Sequence, residues 1–481
     1  MDKKEKKVKE KRMPGKALSF SCIIVMLILL GAGAIFGVEA APSLAISLMY
    51  TVGVALYCGH SFAEIGSYLR EKADDMAALT FIFAGIGFII AAFVVSSTIP
   101  TVVYYAVAVV SPALCVPLAF ILTSMTAFCI GTSFGTAGTV GICMISIGTA
   151  LGVNPLIMAG AVISGSHVGL YISPLSDNFN TTMGLAGVDA SSLLKREMYI
   201  AVPNYIMCVL FYVILGFMTG NNGGTVDTSE LRNALADTFN VSPLAALPLV
   251  LVLILSFKKV PTIVSLVVSG TFAIILGAAL NGFSYWECLT STMYGVDIAS
   301  ILGVEEESLH PMIISLCNRG GMSGMMDLMC ITSFGLGFAG VVMKIGVMDV
   351  IVNSLFSKAK SPIGLVLSTI VVAATGAFLT GASAILLLLP IQMLMSKWKE
   401  NGYSELDCAA ATNACNMIVA YVPWGGVPAY MASVTGVSTF AACPYTAWFW
   451  GLILWNIITA IFKIGYKKKN NSTPGTAEAV A

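Results

Sequence analysis

Polar residues suited to ion binding occur where two apolar stretches of the chain are interrupted. The first break is Ser173-Pro174-Leu175-Ser176-Asp177, and the second is Pro423-Trp424-Gly425-Gly426-Val427-Pro428. Proline removes an amide donor and unseats a helical hydrogen bond, so carbonyl groups are freed at each break. With hydroxyl groups and one carboxylate, such carbonyls are oxygen ligands for Na⁺. The residues that we expect to contribute are Ser173, Ser176, Asp177, Asn180 and Trp424.

Two further interruptions read as the tips of re-entrant hairpins. They are Gly131-Thr132-Ser133-Phe134-Gly135-Thr136 and Thr380-Gly381-Ala382-Ser383. We expect hairpins because the flanks look too short to cross a membrane alone and their ends fall on one side. Helix N-termini at such tips carry partial positive charge and suit an anionic group. Candidate site residues here are Thr132, Ser133, Thr136, Thr380 and Ser383, joined by Asn413 and Asn416; the Na⁺ candidates are Ser133, Ser173, Asp177 and Ser383.

Each candidate also has a purely structural explanation. Ser176 or Asp177 could cap the helix that follows the break. The small residues of the first tip, Thr132, Ser133 and Thr136, could simply pack against a neighbouring helix. Asn413 and Asn416, one turn apart, could line the site or form interhelical hydrogen bonds, and Asn178 and Asn180 pose the same choice. His167 is either a core histidine or a proton relay.

Composition defines the class of protein that must position these residues. Of 481 residues, 57% are apolar and only 10% are charged, whereas soluble domains carry about 25% charge. Residues 76–176 contain no Asp, Glu, Lys or Arg. This excludes soluble and disordered chains and predicts an all-α polytopic membrane protein. The 12 cysteines form no CxxC pair, so we expect neither a metal site nor any cofactor besides Na⁺ as coupling ion.

Apolar runs and loop charges predict the spans and their direction. The basic N-terminal arm and the lysine-rich tail are placed in the cytoplasm of a bacterial cell membrane, and the acidic loops 220–241 and 281–309 outside. Arg319 is the one base that this orientation does not explain. The clear candidate spans are 18–38, 43–62, 76–97, 198–219, 242–257, 262–280, 326–344 and 442–463.

An internal repeat relates positions 250 residues apart. Ser111-Pro112 corresponds to Ser361-Pro362, and Gly131 and Ser133 correspond to Gly381 and Ser383. Three spans separate the copies, which predicts two inverted-topology repeats. Each repeat would hold a re-entrant hairpin and a discontinuous helix, giving about 10 full spans plus two hairpins.

The repeat divides the chain into six parts. These are a basic arm (1–17), two spans (18–75), repeat 1 (76–190, tip 131–136, break 173–177), three connecting spans (191–325), repeat 2 (326–440, tip 380–384, break 423–428), and the last span with its tail (441–481).

The motifs resemble the NhaC-type family of Na⁺/H⁺ antiporters over roughly residues 75–440. The matching stretches are Ser97-Thr98-Ile99-Pro100-Thr101, the Gly131–Thr136 run, Ser173-Pro174-Leu175-Ser176-Asp177, Gly320-Gly321, Thr380-Gly381 and Pro423-Trp424. The resemblance implies ion-coupled transport by two inverted repeats that carry hairpins.

Departures from the family pattern concern its acidic residues. Gly169-Leu170-Tyr171-Ile172 stands where the family has Gly-Asp-His-Cys, Ala382-Ser383 where it often has Asp-Gln, and Thr412-Asn413 where it often has Glu-Asp. Only Asp177 is kept. These losses favour a neutral, oxygen-rich site that couples Na⁺ to an organic solute such as an amino acid or carboxylate.

The leading hypothesis is therefore a Na⁺- or H⁺-driven secondary transporter, with Na⁺/H⁺ antiport proper as the alternative. A channel is disfavoured because no filter-like sequence occurs. An intramembrane serine hydrolase at Gly381-Ala382-Ser383 is disfavoured because the repeat explains that motif without chemistry. We expect the bilayer and an ion or small molecule as partners, no nucleic acid, and leave a homodimer open.

Overall fold

The computed structural model describes residues 11–36, 38–220, 228–347, 350 and 361–466. Most of the basic arm, the lysine-rich tail and the loops 221–227 and 351–360 lie outside the described residues. Regular structure in the described ranges is helical, which confirms the all-α prediction. Within these ranges, ten helices are long and apolar enough to cross a membrane, or up to 13 if each bent pair counts as one span.

The first part of the chain, up to residue 220, forms the helices that carry the first tip and the first break. They are α1 (Lys16–Phe36), α2 (Ala40–Tyr57), α3 (Phe62–Arg70), α4 (Ala73–Val95), α5 (Thr98–Ala106), α6 (Pro112–Ile130), α7 (Ser133–Ala150), α8 (Pro155–Ile172), α9 (Asp177–Ala186) and α10 (Ala190–Gly220).

The second part forms the connecting helices and those around the second tip and break. They are α11 (Thr228–Thr238), α12 (Leu247–Phe257), α13 (Thr262–Asn281), α14 (Tyr285–Tyr294), α15 (Pro311–Cys317), α16 (Met326–Lys344), α17 (Pro362–Thr380), α18 (Ser383–Glu400), α19 (Glu405–Asn416), α20 (Gly426–Thr435) and α21 (Ala447–Ile461). Shorter helical turns join several of them.

The two hairpins, α6–α7 and α17–α18, begin and turn through the same residue types. Ser111 and Ser361 each accept an amide hydrogen bond as the N-cap of a helix that starts with proline. Proline at the first helical position already has the required φ and lacks only an amide that would be unpaired there. Gly131 and Gly381 end the first arms in the left-handed conformation. The inverted orientation of the two halves stays a prediction.

The arms of the first hairpin are longer than the sequence suggested. Helix α6 has 19 residues and the α7 segment has 18, and each qualifies as a candidate span. At 1.5 Å per residue, 19 residues reach about 28 Å, close to the hydrocarbon thickness. The expectation that the flanks are too short to cross alone is therefore wrong. The helix resumes after only two residues and runs through the threonine- and glycine-rich segment in a π-helical turn, Ala137–Gly141.

The second broken helix is packed inside the protein, whereas the first is buried up to its break and partly exposed beyond it. In the first broken helix, α8–α9, the break at Ser173 is flanked by buried residues from both helices. In the second, α19 continues as the 3₁₀ turn Met417–Tyr421 and bends by 59° into α20. The long helix α10 lies against α6, α19 and α21. It therefore borders both the first hairpin and the second broken helix.

Candidate functional site

The tip of each hairpin rests on the break in its own half of the chain. A Cβ on Gly131 would lie 2.7 Å from the carbonyl oxygen of Leu175, and one on Gly381 would lie 3.0 Å from the Cα of Gly425. Both glycines also have positive φ, +81° and +60°, a conformation that costs other residues strain. Glycine thus allows the tip and the break to approach by backbone contact.

A polar cluster joins the first broken helix to the second hairpin and the second broken helix. Asn178 Nδ2 donates to Ser383 Oγ at 3.3 Å, and Ser383 Oγ lies 2.9 Å from Asn416 Nδ2 and 3.1 Å from Asn416 Oδ1. Asn416 is fully buried and the other two are half-buried. We call Asn178, Ser383 and Asn416 the polar cluster.

An aromatic contact makes the opposite connection, from the second broken helix to the first hairpin. The Phe134 ring stacks on Tyr430 with centroids 4.2 Å apart and planes at 12°. The Tyr430 hydroxyl donates to the Phe134 carbonyl. Each broken helix is therefore in contact with the hairpin tip of the other half.

Two residues of the polar cluster, Ser383 and Asn416, were predicted as site residues from the sequence. The third is Asn178, which the sequence could not distinguish from Asn180. Asn180 instead donates to the carbonyls of Pro174 and Ser176 and braces the break. Asn413 is hydrogen-bonded to Glu197 and not to the polar cluster, as described below. Sequence proximity to Asp177 could not distinguish Asn178 from Asn180, because only the packing of α18 against α9 decides it.

Several predicted hydroxyl groups hydrogen-bond to the local backbone. Ser176 caps α9, accepting from Phe179 N and donating to Leu170 O at 2.7 Å. Ser173 donates to Phe128 O at 2.7 Å, which ties the first break to α6. Three threonines make comparable bonds at the tips: Thr132 accepts from Gly135 N, Thr136 donates to Thr132 O, and Thr380 donates to Gly376 O.

Asp177 lies apart from the polar cluster. It is exposed and lines a cavity of about 350 Å³ with Gly131, Thr132, Gly135 and Lys259. Because Asp177 immediately precedes Asn178 on α9, the cavity and the polar cluster lie on adjacent residues of one helix start. Ser133, at the same tip, is buried.

The remaining candidates are core residues. His167 is buried, with Nδ1 2.8 Å from Ile163 O and its ring 4.8 Å from Phe449, edge to face. Trp424 is buried against Phe378, between α16 and the second tip. Neither side chain contacts the polar cluster through a hydrogen bond in the described part of the chain.

The structure adds a buried carboxyl group that the sequence reasoning missed. Glu197 is fully buried on α10, and its Oε1 accepts from Asn413 Nδ2 at 2.8 Å. Its neighbour Arg196 is paired with buried Asp407 at 2.8 Å. The span was predicted to begin at residue 198, one residue after Glu197. Helix α10 in fact begins at Ala190. The signal in the sequence that could have revealed this residue is the position of Glu197, an acid directly before the apolar run 198–219.

Hairpin tips that contact two broken helices, with an uncharged polar cluster between them, define a secondary active transporter of the membrane. A sequence profile of the Na⁺/H⁺ antiporter family matches residues 180–464. The chain belongs to this family, and the resemblance to its NhaC-type members is confirmed. It is an integral membrane transporter, not an enzyme, and it acts on an ion or small molecule.

Three relatives illustrate the range of the family. An uncharacterised Na⁺/H⁺ antiporter of Haemophilus influenzae is 31% identical, over 95% of this chain and 98% of its own length. A malate-2H⁺/Na⁺-lactate antiporter of Bacillus subtilis is 29% identical, over 84% and 85%. The Na⁺/H⁺ antiporter NhaC of Alkalihalophilus pseudofirmus is 29% identical, over 85% and 89%.

Proposed function

We propose that this transporter couples Na⁺ to the movement of a small organic carboxylate or amino acid across the bacterial cytoplasmic membrane, with both termini in the cytoplasm. The observation that carries the proposal is the composition of the polar cluster. Asn178, Ser383 and Asn416 offer amide and hydroxyl groups, and no acidic side chain among the described residues is hydrogen-bonded to them.

Two helix N-termini meet at the polar cluster. Ser383 is the first residue of α18, and Asn178 is the second residue of α9. The unpaired amides at a helix start carry about half a positive charge and favour an anionic group. A substrate carboxylate would accept from these amides and from the Asn416 side chain without a basic residue. The relative that exchanges malate and lactate supports a carboxylate cargo.

The cavity at the first tip suits the coupling cation. Asp177 supplies a carboxylate there, and Thr132 and the basic residue Lys259 also line the cavity. Since Asp177 and Asn178 are consecutive, a cation at one would stabilise a carboxylate at the other. This adjacency gives a physical reason for Na⁺ and solute to bind together.

A cavity at the second break also carries acidic residues. A second cavity of about 450 Å³ is lined by Glu39 and Asp327 together with Pro423 and Pro428 of the second break. Two carboxylates at its wall raise the local concentration of cations. We infer that cations enter the site past this cavity.

The test uses purified protein in proteoliposomes that contain a pH-sensitive dye. Labelled carboxylic and amino acids are offered with and without a Na⁺ gradient. We expect uptake of at least one solute that requires the gradient and is lost in the Asp177→Asn variant. If uptake by that variant still depends fully on Na⁺, Asp177 does not belong to the ion-binding site.

Na⁺/H⁺ antiport without an organic solute is the second candidate. The observation that favours it is Glu197, a buried acid of the kind that binds and releases protons. Two of the relatives described above also carry that activity in their names. A Na⁺-driven change of internal pH with no flux of any solute would establish this function instead.

A serine hydrolase is not supported by the surroundings of Ser383. Its hydroxyl group is hydrogen-bonded to two asparagine side chains. Amide groups cannot remove a proton from serine, so the described residues offer Ser383 no general base.

A further inference from the structure

Glu197 and Asn413 form a buried pair in which two oxygens have no hydrogen-bond donor. Asn413 Nδ2 donates to Glu197 Oε1 at 2.8 Å and also to Tyr171 O at 3.2 Å. Glu197 Oε2 and Asn413 Oδ1 are both buried and have no partner among the described residues. Both atoms are acceptors when the carboxyl group is ionised, so they cannot bond to each other in that state.

A single proton would satisfy both oxygens. A carboxylic acid and a primary amide can form a closed pair, in which the amide N–H donates to one carboxyl oxygen and the carboxyl O–H donates to the amide oxygen. The first of these bonds is present, from Asn413 Nδ2 to Glu197 Oε1. A proton on Oε2 supplies the donor that Asn413 Oδ1 lacks.

The nearby basic residue makes no described hydrogen bond to Glu197, and its two Nη atoms are buried without a partner among the described residues. Arg196 donates from Nε to Asp407 Oδ1 at 2.8 Å, and its guanidinium carbon lies 4.3 Å from the centre of the Tyr466 ring. Asp407 in turn completes a capping box with Ser404. Arg196 and Asp407 therefore balance each other, and an ionised Glu197 would be an additional charge in a buried place, which is strongly unfavourable.

We propose that Glu197 is the proton-binding residue of this transporter, holding its proton against Asn413 and releasing it to water when the transport cycle exposes the carboxyl group. The inference rests on the proposed ion-coupled function and adds a proton to it, by naming the residue that binds this proton. The charged and titratable groups that interact with it are Arg196 on its own helix and Tyr171 on α8. These two groups interact in turn with Asp407 and Cys415 on α19 and with Tyr466 beyond α21. The positive charge of Arg196 is already balanced by Asp407, so it does not also balance the negative charge of an ionised Glu197.

The proton site is mechanically linked to the polar cluster. Asn413 lies one helical turn before Asn416, and both belong to α19. Loss of the proton removes the donor to Asn413 Oδ1 and leaves a charge that must reach water. Either change alters the position of α19, whose end carries Asn416 in the polar cluster.

The experiment compares Glu197→Gln with the wild-type protein in proteoliposomes. Glutamine has the shape and neutrality of protonated glutamic acid and can make both hydrogen bonds to Asn413, so we expect the variant to fold. Two quantities are measured: exchange of labelled solute for unlabelled solute at equilibrium, and the internal pH change driven by a Na⁺ or solute gradient. We expect solute exchange to be retained and to become independent of pH, while the driven pH change is lost.

The matched control is Asp189→Asn, an exposed acid at the start of the same helix that caps it through Ser192 N. Asparagine caps equally well, so this variant should behave as wild type in both measurements. A driven pH change in Glu197→Gln that equals the wild-type change would overturn the proposal. If the wild-type protein exchanges no solute but shows a Na⁺-driven pH change, the solute proposal fails while Glu197 is still tested by that pH change.

A spectroscopic measurement covers the case in which Glu197→Gln does not fold. Infrared spectra of the wild-type protein near neutral pH should contain the carbonyl stretch of a buried protonated carboxyl group. We expect this band to move in Asn413→Leu, which removes the amide partner. Absence of any such band, or a band that Asn413→Leu leaves unchanged, would contradict a protonated Glu197.

Discussion

Asn413 and Asn416 lie three residues apart on α19 and donate their side-chain amides to different partners. Asn413 donates to Glu197 Oε1 at 2.8 Å, whereas Asn416 donates to Ser383 Oγ at 2.9 Å. One turn of helix therefore connects a buried carboxyl group to the tip of the second hairpin. A change at either end is transmitted along a rigid element of about 5 Å.

Ser383→Ala tests the polar cluster. The substitution leaves Asn416 and Asn178 without their shared partner, and a stranded buried polar group costs about 1–3 kcal/mol. If the cluster binds the substrate, we expect the KM for the transported solute or ion to rise roughly tenfold, since 1.4 kcal/mol corresponds to a factor of ten. The measurement is the concentration dependence of the initial uptake rate.

Ser368→Ala is the control for that variant. Ser368 lies on α17 of the same hairpin, and its hydroxyl donates to Gly364 O at 2.8 Å, away from the tip. Its KM should stay within error of the wild-type value. Equal effects of both variants would show that any lost hydroxyl in the hairpin matters and would not support a site at Ser383.

Gly131→Ala tests the contact between the first tip and the first break. A Cβ there would lie 2.7 Å from Leu175 O, and φ is +81°. The left-handed conformation alone costs alanine about 1–2 kcal/mol, and the steric overlap adds to it. We expect folded protein to fall sharply and transport to be abolished. The measurement is the yield of monodisperse protein together with uptake.

Gly187→Ala separates the two causes. Gly187 ends α9 with φ +66°, and a Cβ there would meet nothing within 4 Å. Only the conformational cost of about 1–2 kcal/mol should remain, so uptake should persist with a modestly lower unfolding temperature. If Gly187→Ala lowers uptake and folded yield as much as Gly131→Ala does, the strain of the left-handed backbone explains both effects, and the close approach of Gly131 to Leu175 does not.

Asp407→Asn tests the buried ion pair with Arg196. Their side chains are only 2% and 6% exposed, and removing one partner of a buried pair costs about 3–5 kcal/mol because a charge is left uncompensated. The exposed pair Lys72–Asp75 is the comparison. Asp75→Asn should cost at most about 1 kcal/mol. Thermal unfolding in detergent measures both, and similar losses would refute the assignment of a critical buried pair.

His60→Gln tests a pH effect outside the spans. Partial burial, with the Lys11 ammonium nearby, lowers the pKa of His60 below its usual 6.5, although Glu64 opposes this. The folded protein therefore binds this proton less readily than the unfolded chain. Stability from His60 is complete above pH 6.5 and is lost as the pH falls through the lower folded pKa.

The wild-type unfolding temperature should therefore fall more between pH 7 and pH 5 than that of His60→Gln, in which the amide can still bond to Tyr68. His60 Nδ1 lies 2.9 Å from the Tyr68 hydroxyl and makes no described bond to the polar cluster. The pH profile of transport should be unchanged in this variant. A shifted transport profile would implicate His60 in coupling.

Features set by neighbouring residues could be predicted from the sequence. Ser361 before Pro362, and Gly381 at the tip, are local signals whose effect depends on a few residues only. The first arm of each hairpin begins and ends where these signals stand.

Contacts between distant parts of the chain could not be predicted in the same way. The hydrogen bond from Asn178 to Ser383 joins residues 205 positions apart, and no local pattern selects Asn178 over Asn180. Glu197 was missed because its burial depends on α19 packing against α10. The lengths of the hairpin arms were misjudged because glycine and threonine lower the apparent hydropathy of segments that still form helix.

The two crossings described above, Asn178 with Ser383 and Tyr430 with Phe134, run in opposite directions between the halves of the chain. In each half of the chain, the broken helix therefore contacts the hairpin tip of the other half. Neither tip can withdraw from its cross-contact without disturbing the element that holds the other tip. The positions of the two tips are therefore mechanically coupled, and coupled movement of two gates is what keeps a transporter from opening both at once, the state through which a gradient leaks.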